Sequence, residues 1–203
     1  MSKAEVEAGV VDEDRWAHWP EPWVGTECDV RTVVSALPRH AKDGFRYDAI
    51  PWRRFPHFYG RGEEIPELLT TLATTDAEAA ERALDQLWKS LHHQGGTIEA
   101  AALAVPFLLR IAATGFPGLR ATTLTLVAAS GRGQHLGDAT REGLLHVAEE
   151  PLMIGPVDCP VDWTIQAARD AITADVHLLL PLLADPDPEV RSAATFVLAL
   201  ATA

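Results

Sequence analysis

Three stretches of the chain repeat one arrangement: an apolar segment, a short polar turn, and a second apolar segment with an arginine six residues past the turn. No feature constrains the fold more, because a short helix pair cannot bury its apolar face alone and must stack on neighbouring pairs. The clearest copy is LLLPLLADPDPEVRSAATFVLALA, Leu178 to Ala201, where Asp185 opens the turn and Arg191 follows. Pro188 suits the first turn of the second helix, where its missing N–H would be unbonded anyway. Asp185 or Asp187 can cap the N–H groups exposed there. IPELLTTLATTDAEAAERALDQLWKSL, Ile65 to Leu91, places Asp76 and Arg82 in the same relation. Its second segment lines up Ala80, Ala83, Leu84, Leu87, Trp88 and Leu91 on one helical stripe. The opposite face sets Glu78 beside Arg82 and Asp85 beside Lys89 at i, i+4 spacing. In TIEAAALAVPFLLRIAATGFPGLRATTLTLVAA, Thr97 to Ala129, Thr114 and Arg120 hold the equivalent places and Pro117 opens the second helix.

Turn positions 76, 114 and 185 lie 38 and then 71 residues apart, which leaves room for one degenerate unit between Gly131 and Asp175. The expected fold is therefore all-α: a solenoid of stacked antiparallel helix pairs over residues 61–203, about four pairs with one degenerate. From Ile98 to Ala129 the only charged residues are Glu99, Arg110 and Arg120. Helices apolar nearly all round are covered on several sides, so this pair is expected to be an interior layer. The His92–Gly96 run reads as the bend between layers, with Thr97 capping the next helix. Between Gly131 and Trp163 a glycine loop, a helix over Asp138–Glu149 and a Pro- and Asp-rich loop are expected, followed by a helix over Trp163–Ala174. Residues 1–60 differ in kind: an acidic start with Trp16, Trp19 and Trp23, a helix over Val30–Ala41, then FRYDAIPWRRFPHFYG. They read as an irregular arm on the first repeat, anchored by Trp52 and Phe58.

Charge narrows the partners. The chain carries a formal net charge of −12. Phosphate backbones are held by clustered Lys and Arg, so most of this surface repels them and a basic protein suits it better. The exception is residues 31–60, where Arg31, Arg39, Lys42, Arg46, Arg53 and Arg54 interleave with Phe45, Tyr47, Trp52 and Phe55. That combination can hold single strands. It supports the alternative function, a nucleic-acid-binding protein or DNA glycosylase-like enzyme on a helical scaffold. Cys28 and Cys159 give neither a disulfide framework nor metal-ligand spacing. His92 and His93 are adjacent, point apart on a helix and cannot share a metal, and no cofactor motif or catalytic set is present. The N-terminus has no apolar signal core and no stretch is long enough to span a bilayer, so a cytoplasmic setting is expected.

The segments IPWRRFPHFYGRGEEIPELLTTL, LHHQGGTIEAAALAVPFLLRIAA and ARDAITADVHLLLPLLADPDPEVRSAA cover most of the chain from Ile50 to Ala194. They resemble bacterial proteins with HEAT-repeat domains, a group of unassigned function in which some members look like immunity proteins of toxin systems. The resemblance implies a HEAT-type α-solenoid without catalytic residues. The chain departs from that pattern in its long N-terminal arm and in ending one helix into a repeat pair. Between Ser192 and Ala203 there is no charged residue, whereas a terminal repeat needs a polar outer face. Ala194, Val197, Leu198 and Ala201 then need a cover: a partner or a second copy in a homodimer is the preferred expectation, with the N-terminal arm or a naturally longer chain as the alternatives.

The function expected from these features is non-catalytic protein binding, in its most concrete form the neutralisation of a basic toxin. Glu78, Asp85, Trp88, His92, Asp158, Asp162, Trp163 and Val197 are the candidate partner-facing residues. Asp76, Arg82, Arg120, Asp185 and Arg191 are the candidates for a structural ladder between repeats.

Overall fold

A computed structural model of the chain describes residues 29–74, 76–93, 96–132 and 161–201. Among these residues the fold is mostly helical: α1 (Val30–Ala36), α2 (Arg39–Asp43), α3 (Ile65–Leu72), α4 (Ala77–Leu91), α5 (Glu99–Thr114), α6 (Arg120–Arg132), α7 (Val161–Ala174) and α8 (Pro188–Ala201). Two antiparallel pairs of two-residue strands join them, β1 (Pro56–His57) with β2 (Gly60–Arg61) and β3 (His92–His93) with β4 (Gly96–Thr97).

The apolar helix α5 is the hub. Every side chain from Glu99 to Ala112 is buried, and α1, α2, α3, α6 and α7 all pack on it. Its partner α6 is covered on one side only, by α5, α7 and α8, while Thr122 and Thr125 stay exposed. The expected interior layer therefore consists of one interior helix and one with an open face. The pair α3 and α4 meets through Leu69, Leu72, Ala80, Ala83 and Leu87, all buried as the stripe requires. Asp76 caps α4, its Oδ1 accepting from the Ala79 N–H at 3.1 Å.

A buried ionic lock ties the N-terminal region to the hub. Arg110 donates from Nη1 and Nη2 to the two oxygens of Asp175 at 2.9 and 3.1 Å, and from Nε to Asp43 at 2.8 Å. Lys42 Nζ reaches the same Asp175 carboxylate at 2.8 Å. Asp175 is 2% exposed and Arg110 4%. Burial pushes the Asp175 carboxyl up, but the bonds from Arg110 and Lys42 outweigh that and hold it below the usual carboxylate range.

Several expectations change. The single helix over Val30–Ala41 is two, because Leu37 precedes Pro38, adopts an extended conformation and cannot stay helical. These two helices pack on α5 and α7, not on the first repeat, so residues 29–60 belong to the common core. The boundary expected at residue 60 falls inside the β1–β2 hairpin. Trp52 is buried, with its indole N–H donating to the Tyr47 carbonyl at 2.8 Å, while Phe58 is only half-buried and Phe55 is the second anchor. Thr97 does not cap α5; Ile98 occupies that position, and the Thr97 hydroxyl is buried without a hydrogen-bond partner. The segment Val176–Ala184 forms short 3₁₀ turns instead of a regular helix.

The C-terminal helix is the largest correction. Its apolar face is turned inward on α6 and α7, with Ala194 and Val197 both 0% exposed. Val197 is not available to a partner or to a second copy. An uncharged run such as Ser192–Ala201 can be covered from within the same chain, and α6 and α7 do so here. The start of the chain with its three tryptophans, and the loop–helix–loop expected over 133–160, lie outside the described residues.

Candidate binding groove

The open face of α6 forms the floor of a groove of about 570 Å³ walled by α4 and α8. It exists because α8 packs closely along α6 while α4 touches α6 only sparsely. Ala121, Thr125, Ala128 and Ala129 make the floor shallow and mostly apolar; Trp88 stands on one wall and Phe196 and Leu200 on the other.

Charge enters at one corner. Arg132, the last residue of α6, lines the groove beside His92. The preceding Gly131 is closely packed: a Cβ there would meet the side-chain ends of Ile172 and Leu200 at 3.3 Å, so those side chains would have to shift slightly to admit one. Burial works against the Arg132 charge and lowers its pKa. Its Nε has no hydrogen-bond partner, and no carboxylate among the described residues pairs with it. His92 is turned edge-on to Trp88, ring centroids 5.6 Å apart. Burial, then the charge of Arg132, then that of His93, bring its pKa down to about 4, so the ring is neutral at pH 7, and its Nδ1 also lacks a partner. Glu189, exposed in the first turn of α8, lies toward the opposite end of the groove.

Of the residues expected to face a partner, Trp88 and His92 come together in this groove. Glu78 and Asp85 are exposed on α4 but paired within the helix, Glu78 with Arg82 and Asp85 with Lys89. Trp163 lies elsewhere, half-buried, with the Arg31 guanidinium 3.9 Å over its ring. Asp158 and the Asp162 side chain lie outside the described residues. Val197 is inward, while its neighbour Phe196 reaches the groove. Arg132, Phe196 and Thr125 escaped the sequence reading. Arg132 stands in a Gly-Arg-Gly run that reads as a loop, when in fact it closes a helix.

The expected ladder is realised at one rung. Arg120 of α6 donates to Asp185 of the later turn at 3.1 Å, linking two units. Arg82 does not reach Asp76, which is occupied as the α4 cap; it pairs with Glu78 one turn away. Arg191 braces its own turn by donating to the carbonyls of Asp185 and Pro186 at 2.8 and 2.9 Å. Of the basic run at 31–60, Arg31 pairs with Asp29, Arg39 with Asp43, Lys42 with Asp175, Arg46 with Asp48 and Arg53 with Glu63. Acids thus answer most of the cations that suggested nucleic acid.

Among the described residues no group of three or more His, Cys, Asp or Glu side chains is placed to hold a metal ion, and no helix is long and apolar enough to cross a membrane. No protein-family model, no curated protein and no solved structure matches the chain.

Proposed function

We propose that the chain is a non-catalytic protein-binding module of HEAT-type solenoid form whose partner lies across α4, α6 and α8. The single observation that carries this is the open, mostly apolar groove over α6. A helix that exposes small side chains between two flanking helices leaves a concave strip into which apolar side chains of another protein fit. The solenoid form is supported by the stacked pairs α3–α4 and α5–α6 and by the Arg120–Asp185 rung. We infer a basic partner, such as a toxin met in the cytoplasm, from the net charge of −12. Because Glu78 and Asp85 already pair within α4, the acids act chiefly through the long-range field and less through contact pairs.

The test is co-purification of the tagged full chain from its native host at low and high salt, beside Thr125→Arg, which fills the groove. A specific partner lost from Thr125→Arg and weakened by salt is expected, since screening acts within about 10 Å at 0.1 M. A partner that binds Thr125→Arg equally well and ignores salt would refute both the groove and the field.

A further inference from the structure

We propose that the inner corner of the groove binds a small organic monocarboxylic acid, its carboxylate on Arg132 beside the His92 ring and its apolar body against Trp88, Thr125 and Phe196. The cavity, about 570 Å³, falls within the roughly 300–1,000 Å³ typical of small-ligand sites. Its chemistry is of the usual kind too: apolar walls, with polar groups gathered at one place.

Arg132 identifies the charge of the ligand. A guanidinium drawn out of water without a counter-ion is destabilising, and a protein normally supplies the acid. This one does so for Arg110, which meets Asp175 and Asp43, but among the described residues no acid pairs with Arg132, which lines the groove. A ligand carboxylate would complete the pair with charge-assisted hydrogen bonds. His92 stands at the same corner as a neutral ring and so sets no negative charge against a carboxylate there.

Two further features select a monoanion with an apolar body over a phosphate or a dicarboxylate. The corner offers one guanidinium and one neutral ring at the C-terminal end of α6, where the helix dipole is negative and opposes a second charge. At the other end Glu189 repels an anion. Between them Trp88 and Phe196 suit a planar or branched hydrocarbon. Such an acid would compete with a protein partner for the same strip, and its binding is tested on the isolated chain.

The experiment is isothermal titration of the full chain with 2-naphthoate, beside its uncharged isostere 2-naphthamide. One saturable site is expected, with naphthoate bound at least about tenfold more tightly than the amide, the scale of one charge-assisted contact. Arg132→Met should remove that tenfold preference, bringing acid and amide to similar affinity, and the saturable amide binding that remains reports that the groove is intact. Thr125→Arg should abolish both. Absence of saturable naphthoate binding, equal affinity for acid and amide, or a preference that survives Arg132→Met would each overturn the proposal. Should Arg132→Met fail to fold, the comparison of acid with amide on the unsubstituted chain decides alone. These outcomes are independent of the co-purification, so either idea can fail without the other.

Discussion

Arg110 and Arg132 are both arginines on helices of the same pair, both are drawn out of solvent, and the chain treats them in opposite ways. Around Arg110 it gathers Asp175 and Asp43, adds Lys42 and closes a lock among α2, α5 and the end of α7. Around Arg132 it gathers tryptophan, histidine, alanine and phenylalanine, with no acid among the described residues. Buried pairs fix how elements meet, so the first site has a structural purpose. A half-buried cation with no acid beside it among the described residues adds little to the fold, and under the proposal above it meets a ligand from outside the chain.

The strongest way to break this comparison is at the lock. Asp175→Ala leaves Arg110 and Lys42 facing each other in the core, and urea unfolding should show a loss of about 3–5 kcal/mol. A loss below about 1 kcal/mol would mean that the lock is ornamental. Acidity tests both sites, over different ranges. Asp175 has a folded pKa below its unfolded value, so its contribution is complete above about pH 4 and disappears only as pH falls further, through that lowered pKa. His92 titrates near 4 in the fold against 6.5 ordinarily. The unfolded chain therefore takes up that proton first, and stability should fall between pH 6.5 and about 4 by an amount on the order of 3 kcal/mol. A titration of the His92 ring by NMR checks this directly, and Arg132→Met should move its midpoint upward by removing one of the causes. Smaller effects belong to the rungs. Arg120→Ala, which breaks a half-buried pair between units, should cost about 1 kcal/mol in the same unfolding assay. Arg82→Ala, which breaks only an exposed i, i+4 pair, should cost about 0.3 kcal/mol; a larger loss would restore the ladder expected between Asp76 and Arg82.

The two regions also differ in how far they can be read from sequence. Helices α3, α4, α5 and α6 follow from apolar periodicity and turn residues, because those signals are local. The lock does not, since Arg110 and Asp175 are 65 residues apart and Lys42 and Asp175 are 133 apart. A signal was nonetheless present: a lone arginine in the middle of an apolar helix requires an acid from elsewhere. The six-residue spacing marks which residues stand at each turn but not which partner each arginine takes: Arg120 crosses to Asp185 of a later turn, while Arg82 and Arg191 stay within their own units. In the groove, Trp88 and His92 were identified on one element, but Arg132 and Phe196 join them only once α6 and α8 pack side by side. The uncharged run Ser192–Ala203 calls for a cover over Val197, yet lack of charge does not say whether the cover is another molecule or the same one.

The most direct measurement is the unfolding free energy of Arg110→Met and Arg132→Met, determined in parallel at pH 7 by urea denaturation. Arg110→Met should lose about 3 kcal/mol or more, because it strips Asp175 of its principal partner. Arg132→Met should match the unsubstituted chain or exceed it by about 1 kcal/mol, because it replaces an unpaired half-buried cation with an apolar side chain of similar reach. Equal losses from the two would contradict the account, for Arg132 would then be part of the framework and not a group held ready for a ligand.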